Sequence, residues 1–384
     1  MADSREGRLQ VGLIGCGSSR RMYGRPLAVI PETSVVAVAD PNPENRRAAQ
    51  DELGVPAGYE TAEQMLGAQR LDAVLVASPV FLHEEHVRHA ARAGAHVMVE
   101  KPMARTVAEA DRMIAACDAQ GLVLAVGLQR RWLPQFLTAS RMIREGQLGH
   151  IFHVECHWTK WGMIGAGVWR DSGRCLGGIF QDHGSHTVDL ALQWLGPAHA
   201  CCATAHAIGR NMGAGRSVED HVNLMIRHTS GATSTHVHSR DSHRPQTELY
   251  RIYGTKGTLE LQYVSEHSFF TSGGSWDILL YREGHEEAER LAAQRPDDEE
   301  PMNELSDGHY SYYRNLVRFF TAVRSGGLSG IATGHDGRRV VEVINAALLS
   351  AAEQRWVSTA EAGRFNEAVY AKLLASLPEG GAQQ

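Results

Sequence analysis

The chain has 384 residues, 43% of them hydrophobic, and a net charge of −6 with acidic and basic side chains spread along its length. This length predicts a sizeable core and about two domains, and the absence of a basic stripe excludes a typical nucleic-acid partner. No apolar run reaches the roughly 20 residues of a membrane span, and the polar N-terminus does not resemble a signal peptide, so we expect a cytoplasmic protein without a membrane partner.

Short apolar segments alternate with amphipathic ones in the first third of the chain, which is typical of a parallel sheet covered by helices. Predicted strands are Gln10–Ile14, Val35–Ala39, Ala73–Ala77, His96–Val99 and Val123–Val126, and predicted helices are Glu44–Leu53, Leu82–Ala93 and Val107–Gln120. These βαβ units predict an α/β Rossmann domain that binds a dinucleotide over residues 1–128.

Residues 129–384 have a different pattern, which predicts an α+β domain. Ile151–Trp158 alternates as a strand with Ile151, His153, Glu155 and His157 on one face. Strand-like segments from Ala198 to Leu261 predict an antiparallel sheet. Further helices are predicted at Gln135–Glu145, Tyr310–Val323 and Gly337–Glu353. The last two could pack back on the first domain.

A glycine-rich turn follows the first predicted strand. Gly15 and Gly17 allow a tight turn and let backbone N–H groups approach a pyrophosphate. Ser18 and Ser19 continue the turn, and Arg20 stands where the dinucleotide fingerprint usually has a third glycine. A turn of this kind also occurs as a plain strand-to-helix connection, so its context decides the interpretation.

The second predicted strand ends at Asp40, where a carboxylate can accept hydrogen bonds from the ribose hydroxyls of the cofactor. This position favours NAD. Arg20, Arg46 or Arg47 could instead contact the 2′-phosphate of NADP, which we expect less.

Two more residues lie at the carboxyl edge of the predicted sheet, where ligands bind in this fold class. Ser78 follows the third strand, and His83 opens the next helix. Each is a candidate for cofactor contact, although Ser78 could equally cap a helix and His83 could lie on the surface.

Lys101 is one of four lysines in a chain that contains 34 arginines. Arginine supplies positive charge but cannot lose its proton, whereas the environment can tune a lysine to do so. Lys101 follows the fourth predicted strand in the sequence Glu100-Lys101-Pro102. It is therefore either a candidate for chemistry or a surface lysine.

A second group of polar residues begins an otherwise apolar helix after Gly177-Gly178. Asp182 and His186 are four residues apart and share a helix face. Histidine suits proton transfer near neutral pH, and a neighbouring carboxylate can orient its ring. The alternative is that Asp182 is only a helix cap.

Aromatic and cationic residues precede this helix. Aromatic faces beside hydrogen-bonding cations suit a polyhydroxylated ring, although tryptophans also close sheet cores. Of Trp158, Lys160, Trp161 and Trp169, we select Lys160 and Trp169, together with Arg131, as candidate substrate contacts. Twelve of the 20 histidines lie between His150 and His243. No metal is predicted, because scattered histidines are more often satisfied polar groups than ligands.

Taken in order, these motifs resemble the Gfo/Idh/MocA oxidoreductases over nearly the whole chain. The resemblance rests on Gly15, Asp40-Pro41, Ser78-Pro79, His83, Glu100-Lys101-Pro102, Gln129-Arg130-Arg131, Trp169-Arg170 and the segment Gly177 to His186. It implies that Lys101, Asp182 and His186 are the catalytic set, that Glu100, Lys101 and Gln129 contact the cofactor, and that the Lys101-Pro102 bond is often cis. It also implies that residues 129–384 bind the substrate and form a homodimer or homotetramer through the open face of their large, mostly antiparallel sheet.

The resemblance and the residue chemistry together predict an NAD-dependent dehydrogenase. Its substrate would be a secondary alcohol of a sugar, sugar derivative or cyclitol. His186 would be the general base, Asp182 would orient its ring, and Lys101 would stabilise the substrate oxygen. Two alternatives are an NAD-retaining enzyme that cleaves glycosides by transient oxidation and a non-catalytic dinucleotide sensor.

Overall fold

The computed structural model describes residues 7–160, 169, 172–208, 218–240, 242, 246–265, 276–293 and 305–377. The chain forms two compact units, the first from residues 1–132 and 304–338, and the second from residues 133–303 and 339–384. Within the described ranges, no helix is both long enough and apolar enough to cross a membrane.

The strands are β1 (Leu9–Ile14), β2 (Thr33–Ala39), β3 (Ala57–Tyr59), β4 (Ala73–Val76), β5 (His96–Val99), β6 (Leu124–Val126), β7 (Ile151–Thr159), β8 (Ala198–His206), β9 (His221–His228), β10 (Thr233–Ser239), β11 (Gln246–Gly254), β12 (Gly257–Ser265), β13 (Trp276–Tyr281), β14 (Glu289–Leu291) and β15 (Val357–Ser358). The helices are α1 (Ser19–Ala28), α2 (Pro43–Leu53), α3 (Ala62–Ala68), α4 (His83–Arg92), α5 (Val107–Asp118), α6 (Pro134–Arg144), α7 (Ser185–Leu195), α8 (Asp307–Ser325), α9 (Gly334–Glu353) and α10 (Glu367–Ser376).

The first unit contains a parallel sheet whose described strands have the order β3-β2-β1-β4-β5-β6. All four residues of β4 are buried, as expected when helices cover both faces. The strand order reverses between β1 and β4, and sheets of this kind bind ligands at the carboxyl ends of such a pair. The predicted Rossmann fold is therefore confirmed.

The second unit contains a larger sheet with the order β14-β13-β12-β11-β7-β10-β9-β8-β15. The β7–β10 pair is parallel, and the other described pairs are antiparallel, so the predicted mostly antiparallel sheet is confirmed. Side chains of α6 and α7 pack on one face: Phe136 contacts Tyr250 with ring centroids 4.8 Å apart, and Leu190 is fully buried.

The predicted faces of β7 are correct except at its first residue. His153, Glu155 and His157 are half-buried and alternate with buried neighbours, as predicted. Ile151, however, is buried at 8% exposure, whereas Phe152 is 49% exposed. The register with β11 shifts here, which leaves Phe152 as an extra residue in β7 and turns Ile151 towards the core.

Candidate active site

Two glycines shape the turn between β1 and α1. Gly15 has φ +92°, and a Cβ at this position would lie 2.6 Å from the backbone nitrogen of Ser78. Glycine is therefore required there by both conformation and space. In contrast, a Cβ built on Gly17 would meet no heavy atom of the described residues within 4 Å. The turn packs closely against the end of β4 and leaves room above Gly17.

The residues after Gly17 begin α1. Ser18 precedes the helix without capping it through its side chain in the described structure, and Ser19 is the first helical residue. Free N–H groups at such a helix start attract anions. Arg20 folds back on the turn, donating from Nη1 to the carbonyls of Cys16 and Gly17 at 3.1 Å each, and its Nε lies 3.3 Å from Oε2 of Glu52. Arg20 thus stabilises the turn from the position of the missing glycine.

Asp40 connects the end of β2 to the same turn. Its Oδ2 accepts a hydrogen bond from Cys16 N at 2.7 Å, and its Oδ1 accepts one from Asn42 N at 2.8 Å. Each carboxylate oxygen can accept about two hydrogen bonds, so Asp40 keeps capacity for ribose hydroxyls. Arg46 donates to the main-chain carbonyl of Asp40 at 2.6 Å, which brings a positive charge to this position.

Ser78 and His83 form a connection between two loops of the first unit. Ser78 Oγ lies 2.8 Å from Nδ1 of His86. His83 is 1% exposed, with Nε2 2.8 Å from the Ser78 carbonyl and Nδ1 3.1 Å from the carbonyls of Pro102 and Met103. Burial lowers the pKa of His83 to about 4, so the ring is neutral at pH 7. The neutral ring has one N–H to donate, to Ser78 on one side or to Pro102 and Met103 on the other, so His83 packs between the two loops as a buried side chain rather than lying on the surface.

Glu100 fixes the loop that carries Lys101. Its Oε1 accepts a hydrogen bond from Tyr23 Oη at 2.6 Å, and its Oε2 accepts one from Lys101 N at 3.0 Å. Burial, and then the negative charge of Glu100, raise the pKa of Tyr23, so the phenol keeps the proton that it donates. Lys101 is half-buried, and the Lys101-Pro102 peptide bond is cis. Tyr23 was not predicted, because α1 carries no motif at this position.

Gln129 supplies a polar atom that suits a bound cofactor. The residue is 5% exposed, and no described residue donates a hydrogen bond to its Oε1. A buried acceptor without a donor is costly, and a ligand amide would satisfy it. The glycine turn, Asp40 and this oxygen of Gln129 together fit the binding of a nicotinamide dinucleotide by the first unit. Arg131, in contrast, points its Nη1 to within 3.5 Å of Asp336 Oδ2 in the same unit.

In the second unit, Asp182 and His186 lie on a helix that changes its geometry between them. Asp182 is in a π-helical turn, Phe180–Gly184, which continues directly into α7, where His186 is the second residue. A Cβ on Gly184 would collide with the Phe180 ring, so the turn requires glycine. Asp182 and His186 are only 9% and 5% exposed. Such π-helical turns occur frequently at functional sites.

The Asp182 carboxylate has a buried positive partner. Arg240 Nη2 lies 3.4 Å from Asp182 Oδ2, and Arg240 is 5% exposed. His183 Nε2 lies 3.6 Å from the same oxygen, and the His183 ring stacks on Trp158 with centroids 3.8 Å apart. Arg240 directly follows β10 and was not predicted, because only the folded sheet brings it to Asp182.

The candidate substrate residues of the second unit are placed by backbone contacts. Lys160 N donates to the carbonyl of Ser239 at 2.9 Å, which puts Lys160 beside the strand end that precedes Arg240. Trp169 is half-buried, and its carbonyl accepts a hydrogen bond from Cys175 Sγ at 3.0 Å. Trp161 and Arg170 lie outside the described residues.

The histidines of β10 bond to hydroxyl groups. His236 Nδ1 lies 3.1 Å from Thr187 Oγ1 and its Nε2 lies 3.0 Å from Ser234 Oγ, while His238 Nε2 lies 3.2 Å from Thr187 Oγ1. Burial lowers the pKa of His236, so its ring is neutral. These rings therefore anchor α7, through Thr187, to the sheet.

Comparison with known proteins identifies the family of this chain. Residues 9–128 match the model of the Gfo/Idh/MocA oxidoreductase family with an NAD-binding Rossmann fold, and residues 136–260 match a C-terminal domain model of the same family. The chain belongs to the Gfo/Idh/MocA family.

Relatives and solved structures in this family extend over most of the chain. D-apiose dehydrogenase of Paraburkholderia graminis is 28% identical over 91% of this chain and 89% of its own length. D-xylose 1-dehydrogenase (NADP(+)) 2 of Haloferax volcanii is 30% identical over 66% of this chain and 75% of its own length. The crystal structure of aldose-aldose oxidoreductase from Caulobacter crescentus, complexed with glycerol, matches with a TM-score of 0.76 at 26% identity, covering 91% of this chain and 99% of that chain. The predicted oxidoreductase class is confirmed.

The Gfo/Idh/MocA fold brings the predicted residues together in two groups. In the first unit, Gly15, Asp40, Ser78 and Glu100 meet at the carboxyl edge of the parallel sheet through the contacts above. In the second unit, Asp182 and His186 share one buried helical segment. Tyr23 contacts Glu100 and Arg240 contacts Asp182, and neither partner carries a sequence signal. The roles of all these residues remain predictions.

Proposed function

We propose that this member of the Gfo/Idh/MocA family transfers hydride between NAD and a secondary alcohol of a sugar, sugar derivative or cyclitol. The observation that carries the proposal is the buried contact between Arg240, at the end of β10, and Asp182, on the segment that leads to His186. A buried ion pair near a buried histidine suits proton transfer better than passive binding. The names of two relatives, D-apiose dehydrogenase and D-xylose 1-dehydrogenase, support an aldose-like substrate.

NAD is the proposed cofactor because of Asp40. Its carboxylate can accept the ribose hydroxyls and would repel the 2′-phosphate of NADP. Arg20 is engaged with the glycine turn, whereas Arg46 lies beside the Asp40 carbonyl and is the cation placed to favour NADP. The relative from Haloferax volcanii is named for NADP, and titration of this chain with NAD and with NADP tests the proposed preference.

We assign the proton chemistry to three side chains. When bound, NAD supplies the acceptor of the hydride. His186 takes the hydroxyl proton of the substrate, and Asp182, with Arg240 as its counter-ion, orients the histidine. Lys101 stabilises the negative charge that develops on the substrate oxygen. In the reverse direction, His186 returns the proton.

Substrate recognition is assigned to Lys160, Trp169 and Arg131. A half-buried indole suits the C–H face of a sugar ring, and the cations suit its hydroxyl groups. Arg131 already faces Asp336 at 3.5 Å. We therefore give Lys160 and Trp169 the larger part in ring recognition.

The open face of the large sheet is the proposed interface of a homodimer or homotetramer. Met225, at 43% exposure, pairs in register with Thr235 of β10, which pairs with Glu155 of β7. This row lies opposite the face covered by α6 and α7. Sedimentation of the unchanged protein and of Met225→Lys tests the assignment: a monomer at all concentrations in the unchanged protein contradicts it.

Absorbance of reduced nicotinamide, measured with a panel of hexoses, pentoses, glycosides and inositols, tests the proposed function. Accumulation of NADH with at least one free sugar or cyclitol is the expected result. Release of sugar from a glycoside without accumulated NADH would instead identify the NAD-retaining enzyme. Tight NAD binding without turnover on any compound would identify a sensor.

A further inference from the structure

Glu219 is a fully buried carboxylate that the proposed proton chemistry does not use. It lies just before β9, far in sequence from the helix of Asp182 and His186. Burial without a cation is costly for a carboxylate unless hydrogen bonds satisfy its oxygens. Donors from three other residues contribute to this task. Gly178 N donates to Glu219 Oε1 at 2.6 Å, Phe180 N donates to the same oxygen at 3.4 Å, and Tyr370 Oη donates to Oε2 at 2.7 Å.

The backbone of Glu219 holds the same segment. Its carbonyl accepts a hydrogen bond from Ile179 N at 3.1 Å, and a Cβ on Gly178 would collide with that carbonyl oxygen. Asp182 N in turn donates to the carbonyl of Gly178 at 3.1 Å. Glu219 therefore satisfies the first N–H groups of the helical segment, which usually depend on a local capping side chain.

Tyr370 completes the arrangement from α10. It is 2% exposed, and burial followed by the charge of Glu219 raises its pKa, so it remains a donor. Burial also raises the pKa of Glu219, and the bonds from Tyr370, Gly178 and Phe180 oppose this shift. Loss of the Tyr370 hydroxyl would leave a buried acceptor with one donor fewer.

We propose that Glu219, supported by Tyr370, is the positioning residue that fixes the start of the segment carrying Asp182 and His186. It touches neither the substrate nor the cofactor in this assignment. Glu219 sets the positions of the side chains that transfer the proton, and small displacements of such groups lower the reaction rate strongly. The proposal rests on the dehydrogenase function proposed above.

Two variants test the proposal, and a third provides the control. Tyr370→Phe removes one donor, and Glu219→Gln keeps the shape while it removes the charge. The control is Ser140→Ala, which removes the 2.9 Å hydrogen bond between Trp194 Nε1 and Ser140 Oγ near the other end of α7. The readouts are kcat and the KM values for NAD and substrate, and backbone hydrogen exchange of residues 178–184.

We expect Tyr370→Phe and Glu219→Gln to lower kcat by about tenfold to hundredfold while the KM for NAD stays within about twofold. Amides of residues 178–184 should exchange about threefold to tenfold faster in Tyr370→Phe. Ser140→Ala should change neither kcat nor the exchange rates of these amides. Unchanged kcat and exchange in both Glu219 and Tyr370 variants, or an equal effect of Ser140→Ala, would overturn the proposal. If the unchanged protein turns over no substrate, the proposed function fails, and the exchange readout alone decides whether Glu219 positions the segment.

Discussion

Arg240 holds its Nη2 atom 3.4 Å from Oδ2 of Asp182, with both side chains buried in the second unit. Asp182 thus has a permanent cation beside it, because an arginine keeps its charge at any pH used for enzyme assays. In the proposed mechanism, this contact lets Asp182 orient a histidine without taking the proton itself.

Arg240→Met should therefore lower kcat by about tenfold or more, because the Asp182 carboxylate loses its counter-ion and accepts a proton more readily. The acidic limb of the kcat/KM profile should move to higher pH. Arg240→Lys should restore part of the activity. Arg227→Met, which removes an exposed cation from neighbouring β9, is the matched control and should leave the pH profile unchanged. A normal pH profile in Arg240→Met would contradict the assigned role.

Asp40→Ala should change the affinity for NAD relative to the affinity for NADP. Loss of hydrogen bonds from a carboxylate to the ribose should weaken NAD binding by about tenfold to hundredfold, while NADP binding should stay constant or tighten, since a repelling charge is gone. Calorimetric titration with both dinucleotides measures the change. Asp51→Ala, at an exposed position of α2, controls for net charge. Equal losses for NAD and NADP would show that Asp40 only supports the glycine turn.

Gly178→Ala should disrupt the start of the segment that carries Asp182 and His186, because the added Cβ collides with the carbonyl oxygen of Glu219. The midpoint of thermal unfolding should fall by about 4 °C or more. Gly363→Ala provides the comparison, since a Cβ there meets no heavy atom of the described residues within 4 Å. Similar midpoints for the two variants would be inconsistent with the close approach of Glu219 to Gly178.

Stability should fall as the pH decreases below about 6.5, and His83 should contribute to the fall. Burial lowers the pKa of His83 to about 4 in the folded protein, whereas an unfolded chain has a histidine pKa near ~6.5. Well above a pH of ~6.5, His83 is neutral in both the folded and the unfolded protein, so its protonation does not reduce the free energy of unfolding. Below it the unfolded chain binds the proton first, which costs the folded state about 2 kcal/mol at pH 5.

Urea denaturation at about pH 7.5 and about pH 5 measures this dependence. His83→Gln should show a smaller loss between the two pH values than the unchanged protein. His285→Gln, at an exposed position, should show the full loss. A pH dependence of His83→Gln identical to that of the unchanged protein would contradict a buried neutral His83.

Much of the fold could be predicted from hydrophobic periodicity. The strand His96–Val99 has the predicted bounds, and α5 starts at the predicted Val107, because buried strands and capped helices carry strong local signals. The three-residue strand β3 and helix α1, which contains Pro26, were not predicted, since their signals are short or mixed. Ile151 was placed on the wrong face, because the irregularity at Phe152 depends on pairing with β11.

The candidate site likewise contains residues that the sequence identifies and residues that only the folded structure identifies. Motif residues such as Gly15, Asp182 and His186 could be identified, because their spacing along the chain is itself informative. Their partners could not. Tyr23 bonds to Glu100 across 77 residues, and Arg240 reaches Asp182 across 58, so only the folded chain brings these pairs together.

Lys101→Met provides the most direct test of the central claim, that side chains of this protein perform proton chemistry around hydride transfer to NAD. The substitution removes the cation and keeps most of the side-chain volume. NAD affinity, measured by titration, should stay within about threefold of the unchanged protein, while turnover of the best substrate should fall by about 100-fold or more. Near-normal turnover in Lys101→Met would remove Lys101 from the mechanism and contradict the account.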